Sequence, residues 1–237
     1  MNRQRVLMGS LAWVLAAAVA PAGAEVAAEL DGSGAYLRTV VLATSSAKNV
    51  RIWSKVTSRP NLHPLNLDGD LNGDLWPVVA EQPVGASRPW VVWSRFTGAG
   101  FDLAWSRFDA ASRAWIPISW VESAGTFGDD LDPAVAFDST GRPFVAWWRD
   151  EAGVGQIYLS LFLQSRWLVP FRVSDAGADS VAPTITMLSD TRVRIDYTTP
   201  EGTVTRTIEF HRPLTITDDA TPFGRFSVTS STTMLPK

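Results

Sequence analysis

The sequence predicts an all-β chain, folded as a β-propeller-like array of about four four-stranded blades. Three observations predict it. Trp90-Val91-Val92-Trp93 and Phe144-Val145-Ala146-Trp147 are one strand written twice. The segments around both match in the same order, giving a repeat of roughly 50 residues built from several short strands. Turn-forming clusters separate those strands, as in Thr97-Gly98-Ala99-Gly100 and Asp138-Ser139-Thr140-Gly141.

The two best copies define the unit. One contains Trp76-Pro77-Val78-Val79-Ala80, then Arg88 to Trp93, Asp102 to Phe108 and Trp115-Ile116-Pro117. The other contains Asp132-Pro133-Ala134-Val135-Ala136, then Arg142 to Trp147, Gln156 to Phe162 and Trp167 to Pro170. A third copy starts at Ala182-Pro183. It continues through Val193 to Tyr197 and Val204 to Phe210, alternating apolar and polar residues, to Leu214-Thr215-Ile216. An earlier partial copy holds Leu37 to Ala43 and Val50 to Lys55 but lacks a first strand opening on Pro. Asp218-Asp219-Ala220-Thr221-Pro222 reproduces that entry at the far end of the chain. Open sheet edges invite aggregation, and a terminus that completes the first blade removes them. The expected blades are therefore residues 36–67 plus 222–230, 74–120, 132–172 and 182–217. The alternatives are an open stack of three and a half blades and a closed ring made from two chains.

The N-terminus reads as a secretory signal over residues 1–24. Arg3 and Arg5 supply positive charge, Leu7 to Ala20 is apolar, and Ala22-Gly23-Ala24 is a small-residue cleavage site. Residues 25–237 would form one domain in the periplasm or outside the cell. Losing Arg3 and Arg5 takes the formal charge from −3 to −5. That balance disfavours nucleic acid as a partner. No later stretch is apolar enough to span a membrane as a helix. With no Cys, the fold depends on its apolar core rather than on disulfides.

A Pro-bearing first strand, an Asp-containing hairpin, a strand ending in Trp and a Trp before the fourth strand together resemble the sialidase-like bacterial β-propellers. The resemblance covers about residues 74–210 and concerns architecture. The family's Asp-box is absent, because Asp138-Ser139-Thr140-Gly141-Arg142 is one residue too long between Asp and Gly. The resemblance implies an Arg triad and a Tyr nucleophile for true sialidases. No Arg set matches, and Tyr158 and Tyr197 fall within strands, so no catalytic residue is assigned.

Two groups of residues carry candidate chemistry. Asp68, Asp70, Asn72 and Asp74 place oxygens at alternate positions around Gly69 and Gly73. Calcium takes six to eight such oxygens, and the loop resembles the calcium loops of integrin-type propellers. The same residues are also ordinary turn formers. No other cofactor is indicated; His63 and His211 match no metal spacing.

The second group lies on one predicted face. Acids precede the blade-opening prolines (Asp129, Asp130 and Asp132; Asp175 and Asp179), and the second-to-third strand loops add Arg95, Trp148, Arg149, Asp150 and Glu151. Trp148 follows Trp147 and so points to the opposite side of its strand. Trp148, Arg149, Asp150, Arg95 and Asp132 are the expected ligand contacts, an aromatic platform with polar groups. The competing account is structural: acids recur because the turn recurs, and Arg pairs with them. The functional expectation is an exported, non-catalytic module binding a carbohydrate or protein. Alternatives are a diverged sialidase-like glycoside hydrolase, or an assembly protein that pairs through an open blade edge. The oligomeric state is left open.

Overall fold

The computed structural model describes residues 25–29, 36–43, 50–56, 63–64, 74–83, 89–109, 112, 114–122, 128–210 and 226–234. The predicted signal segment lies outside them. Four antiparallel sheets follow one another along the chain. The first holds β1 (Glu25–Glu29), β2 (Tyr36–Ala43), β3 (Val50–Val56) and β4 (His63–Pro64). The second holds β5 (Asp74–Glu81), β6 (Pro89–Phe96), β7 (Phe101–Asp109), β8 (Ala114–Trp115) and β9 (Ser119–Trp120). The third holds β10 (Asp130–Phe137), β11 (Pro143–Glu151), β12 (Val154–Leu163), β13 (Arg166–Trp167) and β14 (Phe171–Arg172). The fourth holds β15 (Val181–Ser189), β16 (Arg192–Thr199), β17 (Gly202–Phe210) and β18 (Phe226–Met234). The first strands of successive sheets lie together: β5 packs beside β1 and β10, and β10 beside β15. The chain is all-β and propeller-like, as the repeat predicts.

One expectation is corrected. The C-terminal strand does not complete the first sheet. β18 pairs along its whole length with β17, from Phe226 opposite Phe210 to Met234 opposite Gly202. The place beside β2 belongs to β1, with Glu25 opposite Val40 and Glu29 opposite Tyr36. Consecutive strands pair most readily when the link between them is short. Each terminal strand therefore joins the sheet nearest in sequence. The segment Leu214-Thr215-Ile216, expected beside β17, lies outside the described residues.

The core explains the unbroken apolar runs. β11 alternates strictly: Val145 and Trp147 pack toward the second sheet, whereas Phe144 and Ala146 pack toward the fourth. A strand covered on both faces needs apolar residues at every position. Between the second and third sheets, Trp90 stacks on Trp105 with ring centroids 4.6 Å apart, and Phe162 and Trp167 meet them edge-on. Between the third and fourth, Phe144 and Leu159 meet Ile195, Ile208 and Phe210. Burying such a side chain contributes about 1.5–3 kcal/mol.

The outer strands of the second and third sheets are broken in the same way. Ile116-Pro117-Ile118 separates β8 from β9, and Leu168-Val169-Pro170 separates β13 from β14. A buried serine compensates each break: Ser106 Oγ donates to the Ile116 carbonyl at 2.7 Å, and Ser160 Oγ to the Leu168 carbonyl at 2.6 Å. Pro on an outer strand also blunts a sheet edge.

The two ends of the third sheet differ. At one end the β10–β11 hairpin is closed by Asp138, whose Oδ1 accepts from the N–H groups of Thr140 and Arg142 and from the Thr140 hydroxyl. Gly141 takes the left-handed φ of 83° that the turn needs. Neighbouring sheets lock this end: Gln82 Nε2 donates to the Gly141 carbonyl, and the Ser139 N–H donates to Asp190. The other end holds the start of β10, the β11–β12 hairpin and the links between sheets.

Candidate ligand site at the bulged inner strands

At that second end, most of the predicted polar residues are committed to the fold. Arg149 is only 8% exposed. Its Nε and Nη2 donate to the two oxygens of Asp130 at 2.6 and 2.9 Å, and Nη2 also reaches Glu122 at 2.7 Å. Trp147 Nε1 donates to the same Asp130 at 2.8 Å. The guanidinium lies 4.6 Å from the Tyr158 ring centroid and 5.9 Å from that of Trp147. Burial works against the charge on Arg149, but hydrogen bonds and charge from Asp130 and Glu122 outweigh it and hold its pKa above the ordinary value.

The second sheet repeats the register of this corner. Asp74 stands opposite Arg95 as Asp130 stands opposite Arg149. Arg95 is buried and engaged, as is Trp93. Both arginines, expected as ligand contacts, thus lie inside the molecule.

The remaining acids are mostly staples. Asp129 Oδ1 accepts the Phe101 N–H at 2.9 Å, and Asp179 Oδ1 accepts the Gly155 N–H at 2.9 Å. These are repeat-equivalent bonds that fasten each link to the preceding sheet. Asp150 Oδ1 accepts the Gly153 N–H at 2.5 Å and so closes the β11–β12 hairpin. Asp175 pairs with Arg206. Tyr158 donates its hydroxyl to Glu151, and burial together with that bond pushes the phenol pKa up to about 12. A phenol so held is protonated at neutral pH.

Trp148 does point away from Trp147, as alternation predicts. It is half-buried against the core shared with the fourth sheet rather than standing as an exposed platform. Its strand is covered on both faces, which leaves no open side. Of the calcium candidates, Asp68, Asp70 and Asn72 lie outside the described residues, and Asp74 opens β5.

Asp132 is the exception. It is shielded from solvent yet accepts from no donor among the described residues. Burial pushes its carboxyl above the ordinary aspartate value, with nothing offsetting that cost. It also sits in a left-handed conformation, φ 51°, immediately before Pro133. A residue before proline disfavours the helical regions, and a non-glycine residue there costs about 1–3 kcal/mol.

The strain recurs on neighbouring strands. Trp76 before Pro77 has φ 46°, and Ala182 before Pro183 has φ 53°. All three lie within register shifts: Leu75 to Val78, Leu131 to Ala134 and Val181 to Thr184. Each inner strand from β5 to β15 thus carries a β-bulge at this shared place (β15 has a second irregularity at Met187 to Ser189), and bulges re-aim side chains. Because β5, β10 and β15 are packed in that order, the three bulges form a row. Its residues are an aromatic, a carboxylate and a small residue. Trp76 is half-buried and, among the described residues, has no aromatic ring against it. Sequence reasoning chose Asp132 for its repeat position. It overlooked Trp76, whose signal was the shared x-Pro step.

No family model matches this chain, and no curated protein matches it either. Solved structures do. One is an endo-arabinase from Bacteroides thetaiotaomicron, at 12% identity and TM-score 0.49, covering 81% of this chain and 76% of that one. Another is a puromycin-hydrolyzing peptidase from Mycobacterium tuberculosis, at 15% identity and TM-score 0.51. That match covers 79% of this chain but only 29% of the peptidase. At such identities the likeness concerns the fold alone.

Proposed function

We propose that this chain is an exported, non-catalytic β-propeller-like protein that binds a neutral carbohydrate at the row of bulged inner strands. One observation carries the reading: a shielded carboxylate without a donor, held in a strained conformation one strand away from a Trp in the same conformation. Trp76 supplies a flat apolar face for a sugar ring, and Asp132 accepts hydrogen bonds from adjacent hydroxyls. Ala182 leaves room on the third strand. Strain kept at one place on three strands fits a site that is built before the ligand arrives. Export rests on the signal pattern of residues 1–24.

The test is a titration of neutral oligosaccharides (gluco-, xylo-, manno- and arabino-series) followed by Trp fluorescence and calorimetry. Binding to one series, weakened tenfold or more by both Trp76→Ala and Asp132→Asn, supports the reading. Binding indifferent to both substitutions removes it. The raised carboxyl of Asp132 favours a second reading, a glycoside hydrolase with Asp132 as general acid. Release of reducing ends in the same titration, abolished by Asp132→Asn, would put this in place of the binding role.

A further inference from the structure

The outer edges of the sheets are not alike. In the second and third sheets the edge strands are two-residue pieces interrupted at Pro117 and Pro170. In the fourth, β18 is an unbroken nine-residue strand, Phe-Ser-Val-Thr-Ser-Ser-Thr-Thr-Met, paired residue for residue with β17. It contains no proline and no charge. Residues 227–233 are all exposed, Val228 at 44%. Among the described residues no strand pairs with its outer side. Natural sheets normally guard such an edge with Lys, Pro or a break.

The direction of its free backbone groups follows from the ladder. Thr199 faces Gly202 across a two-residue turn, which makes that pair hydrogen-bonded. The Phe210 N–H donates to Thr191, in the same phase. Even-numbered residues of β17 therefore bond to β16 and odd-numbered ones to β18. Since Thr207 faces Thr229 and Arg206 faces Ser230, the odd residues of β18 are used inward. Val228, Ser230 and Thr232 turn their N–H and C=O groups outward.

We infer that β18 is a dimerisation edge that pairs antiparallel with β18 of a second copy, about a twofold axis at Ser230. In that register Ser227 meets Thr233, Val228 meets Thr232, Thr229 meets Ser231 and Ser230 meets itself. The choice of a second copy rests on self-complementarity. An uncharged strand sets no like charges opposite each other when it pairs with itself, and the pairs between Ser227 and Thr233 join small hydroxylated or β-branched residues. A twofold pairing uses one edge from each copy and closes there. It also joins two four-stranded sheets and covers the exposed Val228.

The chain lacks Cys, so one engineered thiol reports the contact. In a hydrogen-bonded antiparallel pair the Cα atoms are about 5.5 Å apart, within disulfide reach. Mild oxidation of the exported chain carrying Ser230→Cys is expected to give a covalent dimer at least ten times faster than Glu201→Cys at the exposed β16–β17 turn. The unsubstituted chain is expected to sediment as a dimer, and Ser230→Lys as a monomer with an unchanged circular dichroism spectrum. Equal cross-linking at both positions overturns the inference. So does a monomeric unsubstituted chain at 100 µM, a concentration on the scale of weak association, or a dimer that survives Ser230→Lys. Capture of a different protein by a monomeric chain would likewise overturn it.

Discussion

Asp130 and Asp132 stand two residues apart on β10. Asp130 is buried, and three N–H groups from Trp147 and Arg149 fill its two oxygens. Asp132 is half-buried, left-handed at φ 51°, and accepts nothing from the described residues. Both positions recur in the second sheet. The first recurs as the same two residue types in register, Asp74 opposite Arg95. The second recurs only as a backbone shape, occupied by Trp76, Asp132 and then Ala182. Where residue and partner repeat together, the repeat is structural. Where the conformation repeats and the residue changes, the fold supplies a position and the side chain is free to serve something else.

Substitution at Asp130 has the largest expected effect. Asp130→Ala leaves Arg149 buried with only Glu122 as an acid partner, and should cost about 3–5 kcal/mol in urea unfolding. Adding Arg149→Met should return part of that loss, since an apolar pair replaces an orphaned charge. A cost under about 1 kcal/mol for Asp130→Ala would erase the contrast between the two acids.

The serines at the broken outer strands come next. Ser106→Ala and Ser160→Ala each strip a carbonyl of its hydroxyl donor, at an expected cost of about 1–3 kcal/mol. Similar losses at both sites would show that a recurring pair is recurring structure.

Asp132→Asn reads the second acid through pH. Burial raises the native carboxyl pKa above its unfolded value, so the folded state keeps its proton to higher pH. Wild-type stability relative to Asp132→Asn should then fall as pH rises through the carboxylate range. It should level off above the native pKa, and the pH-dependent difference should vanish below the unfolded pKa. Denaturant midpoints between pH 3 and pH 8 check the sign; a gain for the wild type with rising pH would contradict it. The smallest effect is expected at Arg192, whose exposed contact with Glu209 spans 4.0 Å. Arg192→Ala should stay within about 0.5 kcal/mol of the parent.

Much of the fold was legible because blades covered on both faces leave a dense signature. Trp90 to Trp93 and Phe144 to Trp147 are apolar without a gap, and their neighbours repeat in order. The terminal strands were harder. Glu25 to Glu29 is short and adjoins the predicted cleavage site, so it carried no periodicity to notice. Asp218 to Pro222 imitates the opening of a blade, yet β18 begins further on and joins β17.

At the site, residue type alone could not separate the two roles of an acid. Whether Arg149 faces a ligand or Asp130 depends on a cross-strand register that is invisible until β10 and β11 are paired. The register shift at Leu131 to Ala134 hides the relation further, because it moves Asp132 out of step with Asp130. The x-Pro step did mark the bulge in all three copies. It was read as the start of a strand rather than as a strained position within one.

The most direct test of the central claim is Asp132→Gly, measured for both stability and oligosaccharide binding. Glycine takes a positive φ without strain and carries no carboxylate. If the strained carboxylate is kept for a ligand, the variant should be about 1 kcal/mol more stable than its parent and should lose binding tenfold or more. A variant that is less stable, or that binds as tightly as its parent, would contradict the claim.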